Sequence, residues 1–518
     1  MKLNREILRL ALPSILANIT VPLVGMVDMA VAGHLDVEGY SAAALIGGIT
    51  IGTMLFDLLY WNFGFLRVGT GGLTAQAYGR ACAQGAPGAH GGGFSDGRCA
   101  WEGPGAHGEI TGILRRALRM AFLSGMALIA LQWVVVQLAF LVVDCSPQVR
   151  ELATRYFYIR IWAAPATLSL FAFKGWFIGL QDTVRPMVAD LLVNSLNMLL
   201  SVALAFGLAG IPALGFSGVA LGTVLAQWSG FTYSLLAARR RYHFSVHENG
   251  PLGVREGQEE GSVHENGPSG VREGQNEGLV HENGPSGARE GQNEGLVHEN
   301  GPSGARAFFS LNRDLFLRSI GMIAVYIGFT VISARYGDLM LAVSAILMKL
   351  LMFFSYFTDG FAYAGEALTG RFIGEGSRDG VHSTVRQTFL WGWVMAAFFM
   401  LLYGLGGTPI LRLMTEDGAV VEAGRPFLPW LLLMPLIGCP TFVWDGIFIG
   451  ATASRDLRNS TLLCAVGFFA VWFLGRALGM DSTPESAIHL LMAAYFMHLA
   501  IRALYLTVRY KPTIAVRV

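Results

Sequence analysis

Charge is what this chain has least of. Only 14% of its 518 residues are Asp, Glu, Lys or Arg, against about 25% in ordinary soluble domains, while 53% are hydrophobic. That balance excludes a water-soluble globular fold and makes lipid the main solvent. Also missing are the phosphate-cradling GxxxxGK[ST] loop, the zinc-binding HExxH helix and the GxSxG nucleophile elbow. The chain is therefore not expected to be an enzyme or an ATP-driven pump, and any work it does must draw on an ion gradient. Its five cysteines are scattered, with Cys439 and Cys464 inside apolar runs, Cys145 near a loop, and Cys82 and Cys99 in a polar segment, so no disulfide framework is suggested. A net charge of +1 argues neither for nor against an acidic partner, and no nucleic-acid partner is expected.

Long apolar runs recur along nearly the whole length. A membrane helix needs about 20 mainly apolar residues, and the runs at 7–33, 41–66, 111–143, 153–178, 187–208, 214–237, 315–334, 340–365, 387–406, 426–450, 461–478 and 487–508 qualify. They are continuous rather than alternating, which implies helices and not a barrel. The expected fold is all-α and polytopic, with about twelve transmembrane helices. Lys2, Arg5 and Arg9 before the first run imitate a signal peptide, but the run is too long for one and reads as an uncleaved span. Lys and Arg gather in the even-numbered loops and at both ends of the chain, so the positive-inside rule places both termini in the cytoplasm. The expected location is a bacterial inner membrane.

Two repeats have a period of 17 residues. From 247 to 306 the unit HENGPxGxREGQxEGxV recurs, rich in Gly, Glu, Asn and Pro, a composition that cannot bury enough apolar surface to order itself. In a second insert at 81–108, Cys82 to His90 is echoed by Cys99 to His107. Two Cys and two His suit zinc, yet the gaps lack a CxxC hairpin, and the preferred reading is a duplicated flexible insert. No metal site is assigned. The organisation expected is an N-terminal six-helix lobe at 1–237, a linker at 238–310 and a C-terminal six-helix lobe at 311–518.

The lobes themselves form a third repeat. Gly64-Phe65 with Leu73-Thr74 and Gly79 align with Gly360-Phe361, Leu368-Thr369 and Gly374, and Lys174-Gly175 to Gly179 with Asp445-Gly446 to Gly450. Six spans separate the copies, so the halves share one orientation and are pseudo-symmetric about an axis along the membrane normal, an arrangement typical of secondary transporters with a cavity between the halves.

A charge near the bilayer centre costs at least about 2.5–3.5 kcal/mol, so Asp28, Asp57, Arg67, Lys174, Lys349, Asp359, Glu366 and Asp445 should face protein or water. Asp28 follows Pro22 by six residues, and proline permits a bend. Asp28 therefore either carries a proton that reshapes the span or is locked to a neighbour. Asp359 and Glu366, two turns apart on one face with Tyr363 between, form a relay or a cation-attracting stripe, unless Glu366 only packs at the inner end. Lys174 and Lys349 reach carboxylates or snorkel. Asn194, Asn197 and Ser201 make a polar stripe directed at substrate or at a neighbouring helix.

The segments Leu23 to Leu35 (LVGMVDMAVAGHL), Phe65 to Gly79 (FLRVGTGGLTAQAYG) and Tyr356 to Leu368 (YFTDGFAYAGEAL) resemble the multidrug and toxic compound extrusion (MATE) family, particularly its DinF-type branch. The resemblance runs through both lobes. It implies alternating access between the lobes, export of cationic or amphipathic small molecules, and Asp28 as the protonation site. In related members an Asn and an Asp four residues later join that site; here these positions are Asn197 and Ser201, so the second carboxylate is missing. Proton coupling is expected rather than sodium coupling, with no cofactor and a monomeric chain. The alternatives are a lipid-linked oligosaccharide flippase of the same superfamily, which calls for a more basic cavity, and a non-transport membrane protein that uses the repeat loop as a tether.

Overall fold

The computed structural model describes residues 2–35, 39–84, 104–141, 145–210, 212–242, 302–414 and 418–516. The 17-residue repeats from 247 to 301 and the insert from 85 to 103, including Cys99, lie outside the described residues. Helices follow one another: α1 Lys2–His34, α2 Ala42–Asn62, α3 Phe65–Gln84, α4 Pro104–Ala130, α5 Gln132–Phe140, α6 Pro147–Arg160, α7 Ala164–Gly179, α8 Val184–Phe206 and α9 Phe216–Tyr242. The second half comprises α10 Pro302–Ala334, α11 Asp338–Gly374, α12 Arg378–Met414, the short α13 Gly418–Gly424, α14 Leu428–Gly450, α15 Ser454–Ala477 and α16 Pro484–Tyr510. Local chemistry sets several boundaries. Ser41 and Ser146 cap α2 and α6 through their hydroxyls, Thr483 and Ser486 cap α16 reciprocally, and Gly207, at φ 75°, ends α8 in the left-handed conformation.

Among the described residues ten stretches are long and apolar enough to cross a membrane, and an eleventh appears if α4 and α5, bent by 64°, count as one span. The twelfth is α9, whose 27 residues can cross a bilayer; its Gly, Ser and Thr residues and its terminal Arg239-Arg240-Arg241 dilute its apolar character. Several limits differ from the sequence reading. The second span does not stop at 66: it breaks at Phe63-Gly64 and resumes as α3 to Gln84, and α11 runs to Gly374. Polar residues end an apolar window, but a helix continues where its backbone is packed against protein. Helix α12 kinks at Gly407, φ 30°, two residues before Pro409. Cys82 is disulfide-bonded and Cys145, Cys439 and Cys464 are free, a single bond and not a framework.

Within the first half α8 packs on α9 and α1, α7 on α3 and α4, and α2 on α6; within the second, α14 packs on α11 and α12, and α15 on α16 and α10. Between the halves the main contacts are α3 and α1 against α11. The repeated glycines explain the close approach. A methyl group on Gly175 would overlap the Arg67 carbonyl oxygen and one on Gly179 would crowd that of Gly71; at the matching positions, Gly446 meets the Ala362 carbonyl and Gly450 that of Glu366. The same device closes the seam between halves, where Gly79 lies on the Arg371 carbonyl and Gly374 on that of Gln76. Small residues let helix backbones touch where lipid supplies no hydrophobic drive for association.

Gly175→Ala or Gly446→Ala should each cost about 1–3 kcal/mol, the usual range for overpacking, and lower the unfolding temperature in detergent. Gly112→Ala, with nothing within 4 Å of the added methyl, should leave it unchanged or raise it.

Candidate functional site

The halves bond to each other toward one end of the bundle. Asn18 donates to the Tyr356 carbonyl (3.2 Å), Gln76 to the Gly450 carbonyl and Thr452 hydroxyl (3.0 and 3.1 Å), and Arg371 of α11 to Glu6 of α1 (2.9 Å) and Gln181 (3.3 Å). Farther along the same helices Asp57 of α2 and Lys349 of α11 are exposed and within electrostatic reach of one another. The edge of Trp61 meets Tyr326 across the lobes, ring centres 5.0 Å apart. The polar interior lies between these levels.

At its centre Arg67 of α3 forms an ion pair with Glu366 of α11 at 3.1 Å; Glu366 is 0% exposed. Its other carboxylate oxygen lies against Gly71, where any Cβ would collide with it. The Arg67 guanidinium also covers the Tyr363 ring at 4.6 Å, with the Lys174 ammonium 6.0 Å from the same ring. Such cation–aromatic contacts strengthen as water is excluded. Lys174 binds Asp190 of α8 at 2.7 Å. Across the pseudo-axis its counterpart Asp445 has the opposite sign and is held by Arg318 of α10 (2.9 Å) and Arg502 of α16. Two buried cations on one carboxylate leave a positive excess. Asp359, half-buried and electrostatically coupled to Arg67, Asp445, Lys174 and Arg318, supplies the remaining negative charge.

Asp28 sits apart, in the first lobe. It is 6% exposed and faces Arg160 of α6 and the Ser201 hydroxyl of α8, while its Oδ1 has no hydrogen-bond partner. Arg160 is fixed by Thr53 (3.3 Å) and Tyr156 (3.1 Å) and lies over the Phe56 ring at 4.8 Å. The stripe on α8 turns toward neighbouring helices: Asn194 donates to Thr20 of α1 (2.6 Å), Asn197 to Thr223 of α9 (2.9 Å), and Ser201 reaches Asn197 and the Val219 carbonyl, each at 3.5 Å.

The structure thus gathers Lys174, Asp359 and Glu366 in one charged row, and Asp28, Asn197 and Ser201 in a separate polar pocket. Lys349 stands at the cleft without a carboxylate at ion-pair distance among the described residues. Arg160, Asp190, Arg318 and Arg502 belong to these groups and were not singled out from sequence. Arg318 lies three residues into its apolar run, where a basic residue ordinarily signals a loop; Arg160, seven residues into the fourth span as read, and Arg502, six from the end of the twelfth, could have been noticed there. No group of three or more potential metal ligands occurs among the described residues.

The MatE family model matches residues 103–203 and 315–499. DNA damage-inducible protein F of Escherichia coli (strain K12) is 30% identical over 505 residues, 97% of this chain and 91% of that protein. The chain belongs to the MatE family. A more distant MatE relative, the probable multidrug resistance protein NorM of Thermotoga maritima, is 22% identical over 91% of this chain and 84% of its own length. Solved MATE structures share the fold, one in the bent conformation (TM-score 0.71, 15% identity, 100% of this chain and 97% of that one) and the Vibrio cholerae transporter VcmN in its bent form (TM-score 0.71, 13% identity, 100% and 98%). This MatE protein is therefore a multi-pass membrane transporter of the multidrug and toxic-compound efflux class.

Arg67→Gln leaves a fully buried Glu366 without its partner, and breaking a buried pair costs about 3–5 kcal/mol. The variant should unfold at a clearly lower temperature in detergent, and Arg67→Gln with Glu366→Gln should recover most of the loss.

Proposed function

We propose that this chain is a monomeric, proton-driven antiporter in a bacterial inner membrane, with both termini cytoplasmic, exporting cationic or amphipathic compounds. Asp28 is the proton-carrying group. The observation that carries this reading is a carboxylate buried in a membrane helix with one oxygen unpartnered, six residues past Pro22. A single Arg and a Ser face it, so its charge is neither locked in a closed set of bonds nor fully solvated. The names of the relatives, multidrug resistance proteins among them, agree with export of varied substrates.

With the positive-inside orientation, the end at which the lobes bond is cytoplasmic and the cleft holding Asp57 and Lys349 opens outward. External protons neutralise Asp28, which loosens its hold on Arg160 and lets α1 bend at Pro22. Substrate affinity falls and the substrate leaves. The lobes then rock inward by breaking the Arg371–Glu6 and Arg67–Glu366 contacts, and proton release to the cytoplasm restores the anionic pocket. The thermodynamic requirement is a difference in affinity between the two states. The replacement of the family's second carboxylate by Ser201 removes a ligand that sodium would need, which favours a proton; no cofactor or metal enters the cycle.

The charges in the interior alternate in sign rather than forming a basic surface, which supports an exporter over a flippase of lipid-linked phosphates. A tether role for the repeats at 247–306 predicts that deleting them abolishes function.

In proteoliposomes, a proton gradient should drive efflux of a fluorescent cationic dye by the wild type, with no response to a sodium gradient. Asp28→Asn should lose at least 90% of that rate, roughly the tenfold or greater effect expected for an essential proton-transfer group. Equal efflux by the variant would remove Asp28 from the mechanism. Deletion of 247–306 should leave export intact.

A further inference from the structure

Basic residues on the outer face of a membrane protein run against the charge asymmetry of the rest of the chain, so each calls for a reason. In the proposed orientation, on which this inference rests, Arg150 and Arg155 on α6 are two of them, and both line a groove of about 820 Å³ between α5, α6 and the start of α9. The groove exists because the third span bends by 64° at Leu131, carrying α5 away from the line of α4. Its walls combine two chemistries. The polar side holds the two guanidiniums with Gln137, Tyr158 and Ser217. The apolar side is α5, which exposes Leu131, Trp133, Val134, Leu138 and Leu141 outside the groove, 42–80% accessible and continuous with the lipid-facing surface.

The guanidiniums are available. Arg150 stacks on the Phe140 ring at 5.0 Å, which orients it without neutralising it, and neither arginine has a carboxylate at ion-pair distance among the described residues. Glu151, the acid of the groove, faces the Tyr40 hydroxyl. The Ser217 hydroxyl is buried and has no hydrogen-bond partner. What fits is a molecule with an anionic, hydrogen-bonding head and an apolar tail, entering sideways from the bilayer.

We propose that this groove is a binding site for an anionic phospholipid of the outer leaflet, its phosphate between Arg150 and Arg155 and its acyl chains along α5. The lipid wedges the bent α5 against α6, the helix that ends in Arg160 beside Asp28. Lipid composition in the outer leaflet therefore bears on the geometry of the proton pocket through one rigid helix.

The test is native mass spectrometry of the full chain in mild detergent, titrated with phosphatidylglycerol and, separately, phosphatidylcholine. Wild type should retain phosphatidylglycerol about 30-fold more strongly, since each basic contact is worth about fivefold at a lipid surface. Arg150→Gln with Arg155→Gln should abolish the preference, Ser217→Leu should weaken retention by filling the groove, and Arg412→Gln, an outer arginine remote from the groove, should change nothing. Equal retention of both lipids by wild type, or an unchanged preference in the double variant, overturns the proposal. So does displacement of the lipid by millimolar inorganic phosphate, which would make the groove a free-anion site. A far-ultraviolet circular dichroism melt of each variant establishes that it is folded.

Discussion

The ion pair between Arg67 and Glu366 is the constraint around which the rest of the interior is organised. A carboxylate with no solvent exposure is tolerable only beside a cation, and that cation comes from the opposite lobe. To bring the two together, α3 and α11 must approach until their backbones touch. Only glycine allows this, at Gly71 beneath the carboxylate and at Gly79 and Gly374 farther along the seam. The electrostatics and the packing are thus one arrangement: the pair joins the lobes, and the glycines let the pair form.

In the proposed cycle the same seam is where the two halves part. The hydrogen bonds and ion pairs that cross it are gathered toward one end, Arg371 with Glu6 and Gln181, Gln76 with Gly450 and Thr452, Arg67 with Glu366, beside the apolar packing of α1 and α3 on α11. Polar contacts of this kind can be exchanged for water when the cleft turns over, whereas the glycine-packed interfaces inside each lobe, α3 with α7 and α11 with α14, hold each lobe together as a unit. Internal symmetry provides the architecture and broken symmetry the chemistry. Lys174 and Asp445 occupy matching positions with opposite charge, so one lobe presents a lysine answered by Asp190 and the other an aspartate clasped by Arg318 and Arg502.

The sequence-derived site residues divide according to how their signal arises. Asp28, Asp359, Glu366 and Lys174 stood out because charge within an apolar run is costly wherever it points. Their partners did not stand out. Arg318 lies midway along α10 but only three residues into its apolar run, where composition cannot distinguish an arginine in a loop from one turned inward onto Asp445, and nothing in the run around Arg502 of α16 tells that it turns onto the same carboxylate. Asn194, Asn197 and Ser201 share a face of α8 at helical spacing, but spacing could not say what they face; Thr20 and Thr223 answered that by accepting their hydrogen bonds.

Sequence alone determined the solvent, the helical class, the repeat of one half in the other and the glycines at equivalent places, because each follows from the cost of burying polar groups in hydrocarbon and from matching residues along one chain. The bends at Gly64 and Leu131, the extension of α3 and α11 past their apolar windows, the cross-lobe partner of Glu366 and the groove beside Arg150 were decided only by tertiary structure. Those features depend on which backbone lies against which. A carbonyl from a helix hundreds of residues away, not the local run of side chains, fixes where a helix ends and which charge finds its counterpart.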